Sequence, residues 1–97
     1  MREEIDWSFA EEHMWNRHRV LVQWAKEAAG DPRRLTFDPD PASRSGSSIR
    51  FIGYSAQADA LLAVIVVRFD GRLFAASAWK ANDVQARGYR EGACDHE

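Results

Sequence analysis

Thirteen basic side chains, eleven of them arginine, are the residues of this 97-residue chain best suited to chemistry. Guanidinium presents a planar fork of donors that matches phosphate and carboxylate in pairs. The basic residues are not spread evenly. Residues 1–43 hold six basic and nine acidic side chains. Residues 44–90 hold seven basic (Arg44, Arg50, Arg68, Arg72, Lys80, Arg87, Arg90) against three acidic (Asp59, Asp70, Asp83). A basic middle fits an anionic partner such as RNA or an acidic peptide. It fits equally well a sheet whose edges are fringed with arginine to discourage strand pairing. Charge alone does not separate the two.

The motifs of conventional enzymes are missing. There is no Gly-rich phosphate loop, no Cys-x-x-Cys, no His-Glu-x-x-His and no Gly-x-Ser-x-Gly elbow. His13 and His18 lie five positions apart, about 140° around a helix, which argues against a shared metal. Cys94 and His96 fall in a polar tail, a poor setting for a metal site. Ser43, Ser45, Ser47 and Ser48 have the spacing and company of turn formers rather than nucleophiles. Neither a metal nor a cofactor is expected.

These residues must be positioned by a single small domain, assigned to residues 1–92, with a polar tail over 93–97. A chain this short buries only about 60–65% of its unfolded surface, so each core residue carries weight. Its 45% hydrophobic and 29% charged content is ordinary for a soluble globule. One cysteine excludes a disulfide framework and points to a reducing compartment. Ala60 to Val67, the longest apolar run, is far short of the roughly 20 residues a membrane span needs. The acidic first fifteen residues are the opposite of a basic signal-peptide start. A cytoplasmic protein without membrane contact is expected.

The predicted class is α+β: an N-terminal strand and two helices, an antiparallel sheet of about four strands, and a C-terminal helix. Ile5 to Phe9 alternates apolar and polar, as a half-buried strand does. A helix is predicted from about Ala10 to Arg17. Leu21, Trp24, Ala25 and Ala28 form the core stripe of a second helix, closed by Gly30 and stopped by Pro32. Arg33 to Asp38 could be a short strand, and Pro39 to Ser48 reads as a loop. Ile49 to Tyr54 reads as a strand. Ala60 to Phe69 should be a central strand, and Asp70-Gly71 a type I′ turn leading to a return strand over Arg72 to Trp79. A two-residue turn sets Phe69 opposite Arg72, Val67 opposite Phe74 and Ile65 opposite Ala76. It also puts Ser77 and Trp79 on the face of Arg68. Small residues at Ala75, Ala76 and Ala78 would let a helix approach closely. Asn82 to Gln85 has the form of a capping box opening a last helix that Gly92 ends.

From Ile5 to Glu91 this order of pieces resembles the BrnT-like toxins of bacterial toxin–antitoxin pairs, relatives of the RelE/ParE toxins. The pieces are Asp6-Trp7, Glu12-His13, His18-x-Val20, Ala25 with Ala28 before Asp31-Pro32, and Arg50-Phe51-Ile52-Gly53. Val66-Val67-Arg68, Ser77-Ala78-Trp79-Lys80-Ala81-Asn82 and Arg87-x-Tyr89 with Glu91 complete the series. The chain departs at Arg19, where the family commonly has Gly, at Leu21, where a Ser-type cap is common, and at Trp79, where many carry Arg. The resemblance implies a RelE-like fold and a metal-independent endoribonuclease that inhibits translation. It also implies an antitoxin of the ribbon–helix–helix type, through which alone the chain would meet DNA.

Metal-free RNA cleavage needs a base for the 2′-hydroxyl, an acid for the leaving oxygen and cations for the phosphorane. Under the resemblance, Arg50, Lys80 and Arg87 supply cations and His18, of the residue type that switches charge near neutrality, exchanges protons. Arg68, Ser77, Trp79 and Tyr89 are then the substrate-binding candidates, with Tyr89 packed on the sheet and Arg87 turned toward the site. Each residue also has an ordinary structural role open to it. The alternative for the whole chain is a toxin homologue without catalysis, acting as a protein-interaction or co-repressor module.

Overall fold

Asp70 and Gly71 adopt φ of 53° and 74°, the pair of positive values a type I′ turn requires. They join β4 (Ala60–Phe69) to β5 (Arg72–Lys80). The computed structural model describes residues 5–94. The remaining elements are β1 (Ile5–Asp6), α1 (Glu11–His18), α2 (Val22–Ala29), β2 (Leu35–Phe37), β3 (Ser48–Ser55) and α3 (Asp83–Cys94). The strands form one sheet in the order β1-β5-β4-β3-β2. The α+β class and the central place of β4 are therefore as expected.

Among the described residues the sheet has five strands and is mixed, where about four antiparallel strands were expected. β1 runs parallel to β5, Ile5 beside Leu73 and Asp6 beside Phe74. No hairpin ties β1 to its neighbour, because α1 and α2 follow it in the chain, so it can fill the free edge of β5 in either direction.

Leu62, Val64, Val66, Leu73, Ala75, Ala78, Ile49 and Phe51 line one face and are buried with Ala10, Met14, Val20, Ala25 and Ala28 of the helical arm. We call this the helical face. α2 approaches it so closely that a Cβ on Gly53 would lie 2.0 Å from the Ala28 carbonyl oxygen. Only glycine on the strand permits that contact. Glu27 of α2 also accepts a hydrogen bond from the buried Ser55 hydroxyl at 2.7 Å and one from the Gln57 N–H at 2.9 Å. These two bonds, the Gln57 N–H foremost, hold its carboxyl below the ordinary range.

Leu21 does not join the stripe. It is the extended N-cap of α2, with φ −76° and ψ 145°, and is 39% exposed. Because the helix begins one residue later, Ala25 and Ala28 carry the stripe, and Val22 and Trp24 pack beside them. Arg19 ends α1 at φ 55°, a left-handed conformation that favours glycine. Its guanidinium lies 5.2 Å from the centre of the Trp15 ring, a cation–π contact that offsets part of the strain.

α3 opens with the expected capping box: Gln85 N–H donates to Asn82 Oδ1 at 2.8 Å, and Asn82 N–H to Gln85 Oε1 at 3.0 Å. It runs past Gly92 to Cys94, since an interior glycine weakens a helix by about 1 kcal/mol without stopping it. Residues 95–97 of the expected tail lie outside the described residues. α3 lies against β3 on the second face, where Leu35, Ile52, Ala63 and Trp79 stand in one cross-strand row. A Cβ on Gly88 would lie 3.6 Å from Leu35 Cδ1. Ile52 and Ala63 are buried accordingly. Among the described residues no helix is long and apolar enough to cross a membrane.

Candidate nucleic-acid interface

The hairpin register shifts between Ile65 and Val66. Phe69 still faces Arg72 and Val67 faces Phe74, but Ile65 pairs with Ser77 rather than Ala76. Ala76 is the extra residue of a β-bulge, and it is exposed. A one-residue insertion moves every later side chain to the opposite face. Ala78 therefore turns inward beside Ala75 under the helices. Ser77 and Trp79 turn outward, away from the face of Arg68, contrary to the expected register.

The outward face consequently carries a second row: Phe37, Arg50, Ile65 and Ser77. Val67 and Phe74 form a third. α3 covers the first row around Ile52 and Ala63, whereas Trp79 at the end of that row, Ile65, Val67, Phe74 and Ser77 stay half-buried and Phe37 is exposed. Phe9, 74% exposed, leans on Phe74 with ring centres 5.8 Å apart. Arg72 lies over the same ring at 5.4 Å, with Asp6 at 4.0 Å from its Nη2.

His18 closes this face at the α1 margin. Its ring centre is 5.8 Å from that of Trp79 and 5.7 Å from that of His13. The two imidazoles meet although their helical positions are about 140° apart, because long side chains on an eight-residue helix lean back along its axis. Among the described residues no three His, Cys, Asp or Glu side chains are grouped as a metal site would need.

His18, Ser77, Trp79 and Arg50 thus share one face. Arg50 is not a bare cation there. Its Nε donates to Asp40 Oδ2 at 3.3 Å and its Nη2 lies 3.2 Å from Asp40 Oδ1. Asp40 is buried and also accepts from the Ala42 N–H at 3.0 Å. Ser77 and Arg50 stand two strands apart, about 10 Å. Arg68 and Lys80 lie on the other side of the sheet. Arg68 belongs to the helical face by register, opposite Leu73, and holds Asp38 through two bonds of 2.8 and 2.7 Å. The Arg68 bond keeps the Asp38 carboxyl below its ordinary value. Lys80 pairs with Leu62, which assigns it to the helical side at the strand end. Arg87 is exposed on α3.

Tyr89 is half-buried, and its hydroxyl donates to Asp31 Oδ2 at 2.6 Å. Burial first, and then this carboxylate, push the phenol up to about 12. Burial raises Asp31 too, but hydrogen bonds from Tyr89 and from the N–H groups of Arg33 and Tyr54 outweigh it and leave Asp31 below the usual range. Tyr89 therefore anchors α3 to the loop after α2. The sequence did not reveal the outward placement of Phe9, Phe37 and Phe74, nor the carboxylates that hold Arg50 and Arg68. Strand parity would have found Phe74, and Asp38-Pro39-Asp40 between two basic strands was the available sign of the ion pairs.

The class so defined is an α+β protein with one sheet face buried under two helices and the other left partly open, aromatic and bordered by histidine. Comparison with protein-family models and with curated proteins finds no match.

Proposed function

We propose that this chain is a metal-independent endoribonuclease of the RelE-related, BrnT-like kind, the toxin half of a cytoplasmic toxin–antitoxin pair. The observation that carries this reading is His18 against Trp79 at the border of an open sheet face holding Ser77, Ile65 and Phe74. Single-stranded RNA is held by stacking of splayed bases on aromatic rings, at about 1–3 kcal/mol per base. Trp79 and Phe74 offer such rings. His18 accepts the proton of the 2′-hydroxyl as that oxygen attacks phosphorus and the P–O5′ bond breaks. His13, in ring contact with it, is placed to return a proton to the leaving oxygen. Arg50 contributes the donors that Asp40 leaves free, and Ser77 a hydroxyl.

The test is cleavage of single-stranded RNA by purified protein in a chelating buffer, beside growth on induced expression. Cleavage and growth arrest are expected, with His18→Ala lowering cleavage on the order of 100-fold and Trp79→Ala weakening RNA affinity. Full cleavage by His18→Ala would remove this mechanism. A ribbon–helix–helix antitoxin that covers the basic surface of residues 44–90 should raise the melting temperature, as any ligand of the native state does.

One observation favours the non-catalytic alternative: Arg50 and Arg68 are each held by a carboxylate, and Lys80 lies by register on the opposite side of the sheet from Arg50. A folded protein that neither cleaves RNA nor arrests growth would establish that reading.

A further inference from the structure

Three arginines of the strands have carboxylate partners: Arg50 with Asp40, Arg68 with Asp38 and Arg72 with Asp6. Arg34 is held differently. Its guanidinium lies 5.2 Å from the centre of the Phe51 ring, and Nη1 donates to the Asp31 carbonyl at 3.3 Å. Neither contact neutralises it. Lys26, one turn before the end of α2, stands on the same cleft, and neither has an ion pair among the described residues.

The cleft lies on the helical side, away from Trp79, and measures about 670 Å³. Its floor is apolar: Phe51 and Leu73 are buried, while Ile5 and Trp7 are half-buried beside them. Lys26 and Arg34 are exposed at its border. No carboxylate is among the described lining residues. Small-molecule sites enclose most of the ligand's surface, whereas both cations here stand exposed at the border. An apolar centre with charge at the rim, containing Trp and Arg, is instead the anatomy of a protein contact.

We propose that this cleft binds an acidic, apolar peptide segment of a protein partner, its aromatic or aliphatic side chains on Trp7, Phe51 and Leu73 and its carboxylates on Lys26 and Arg34. Arg34 is already seated over Phe51, so little of its side-chain freedom remains to be lost on binding. The site stands apart from the open face, and it holds whether or not that face cleaves RNA.

The experiment screens the full chain against an array of eight-residue peptides combining Glu and Asp with Leu, Ile, Phe and Trp. Hits are titrated by calorimetry and mapped on the backbone amides. Binding with Kd below about 1 mM is expected, with shifts confined to residues around Gly30, Arg34 and Leu73. Replacing the acids of the peptide by Gln should weaken it at least tenfold. So should the exposed substitutions Lys26→Glu and Arg34→Glu, with Arg34→Gln intermediate and all melting temperatures kept. RNA cleavage should be unchanged in those variants, which separates this inference from the nuclease reading. An array with no binder, binding indifferent to Lys26→Glu and Arg34→Glu, or an RNA oligomer that shifts these amides in place of the peptides would overturn it.

Discussion

The two faces of the sheet are built on opposite terms. On the helical face α1 and α2 cover a continuous core, and α2 touches β3 through backbone, Ala28 against Gly53. On the outward face α3 covers one row around Ile52 and Ala63 and leaves the rows of Ile65 and Phe74 half open. Directly under α1 and α2 close packing leaves no space for a ligand, and room appears on that side only in the cleft between Ile5 and Arg34; the open rows sacrifice burial for access. The contrast teaches that in so small a domain the main core and the open aromatic rows are segregated by face, with the bulge at Ala76 deciding which side chains of β5 serve which.

The largest effect should come from Gly53→Ala. The added carbon would meet Ala28 backbone at 2.0 Å, and backbone cannot swing aside as a side-chain tip can. A loss of about 3 kcal/mol or more, or failure to fold, is expected in thermal melts. A melting temperature within a few degrees of wild type would break the contrast, because it would mean that α2 can lift off the sheet cheaply.

Next come two truncations on the same strand. Leu62→Ala, fully buried under the helices, should cost about 2–5 kcal/mol in denaturant unfolding. Ile65→Ala, half-buried on the open side, should cost about 1 kcal/mol, since it leaves no enclosed cavity. Equal losses would show that the outward rows are packed as tightly as the helical core.

A smaller effect belongs to the anchor of α3. Tyr89→Phe removes a hydrogen bond to a carboxylate and should cost about 1–2 kcal/mol between pH 6 and 9. The pH dependence has a sign on each side. Asp31 is depressed when folded, so its contribution is present above the ordinary carboxylate range and is lost as pH falls through the lower folded value. Tyr89 is raised from 10.0 to about 12, so its contribution is complete below pH 10 and is lost as pH rises toward 12. The phenylalanine variant should show a shallower alkaline loss, keeping only the contribution of Tyr54, whose phenol the bond to Asp59 also raises. The same alkaline slope in both proteins would remove this bond from the stability of the fold.

Phe9→Ala should be the mildest for stability, within about 0.5 kcal/mol, because the ring is 74% exposed. It sharpens the contrast through RNA: a drop in single-strand affinity by gel shift, at unchanged melting temperature, would mark the open face as a binding surface.

Local chemistry made much of this legible. Asp70-Gly71 announced its turn, the Ala60–Phe69 run its central place, and Asn82 with Gln85 its cap, because each depends only on neighbours in the chain. The bulge was not legible: Ala75 and Ala76 are the same residue type, and nothing in either says which is to be skipped. That single ambiguity misplaced Ser77 and Trp79. The direction of β1 was hidden for a related reason, since it pairs with residues almost 70 positions away along the chain. Of the candidate site, residue types were readable, but which arginine meets which carboxylate is decided by the loop between β2 and β3.

Among the described residues the sheet ends in β1, which pairs through two residues, and in β2, which pairs through three. α1 packs against β5, whose described pairing with β1 ends at Phe74. Unpaired backbone at a sheet border is a template on which a second molecule can add, and long flat borders invite fibres. Borders this brief offer an incoming strand too few hydrogen bonds to hold it. Light scattering on concentrated protein should then show no growth into aggregates, exposed Phe9, Phe37 and Phe69 notwithstanding.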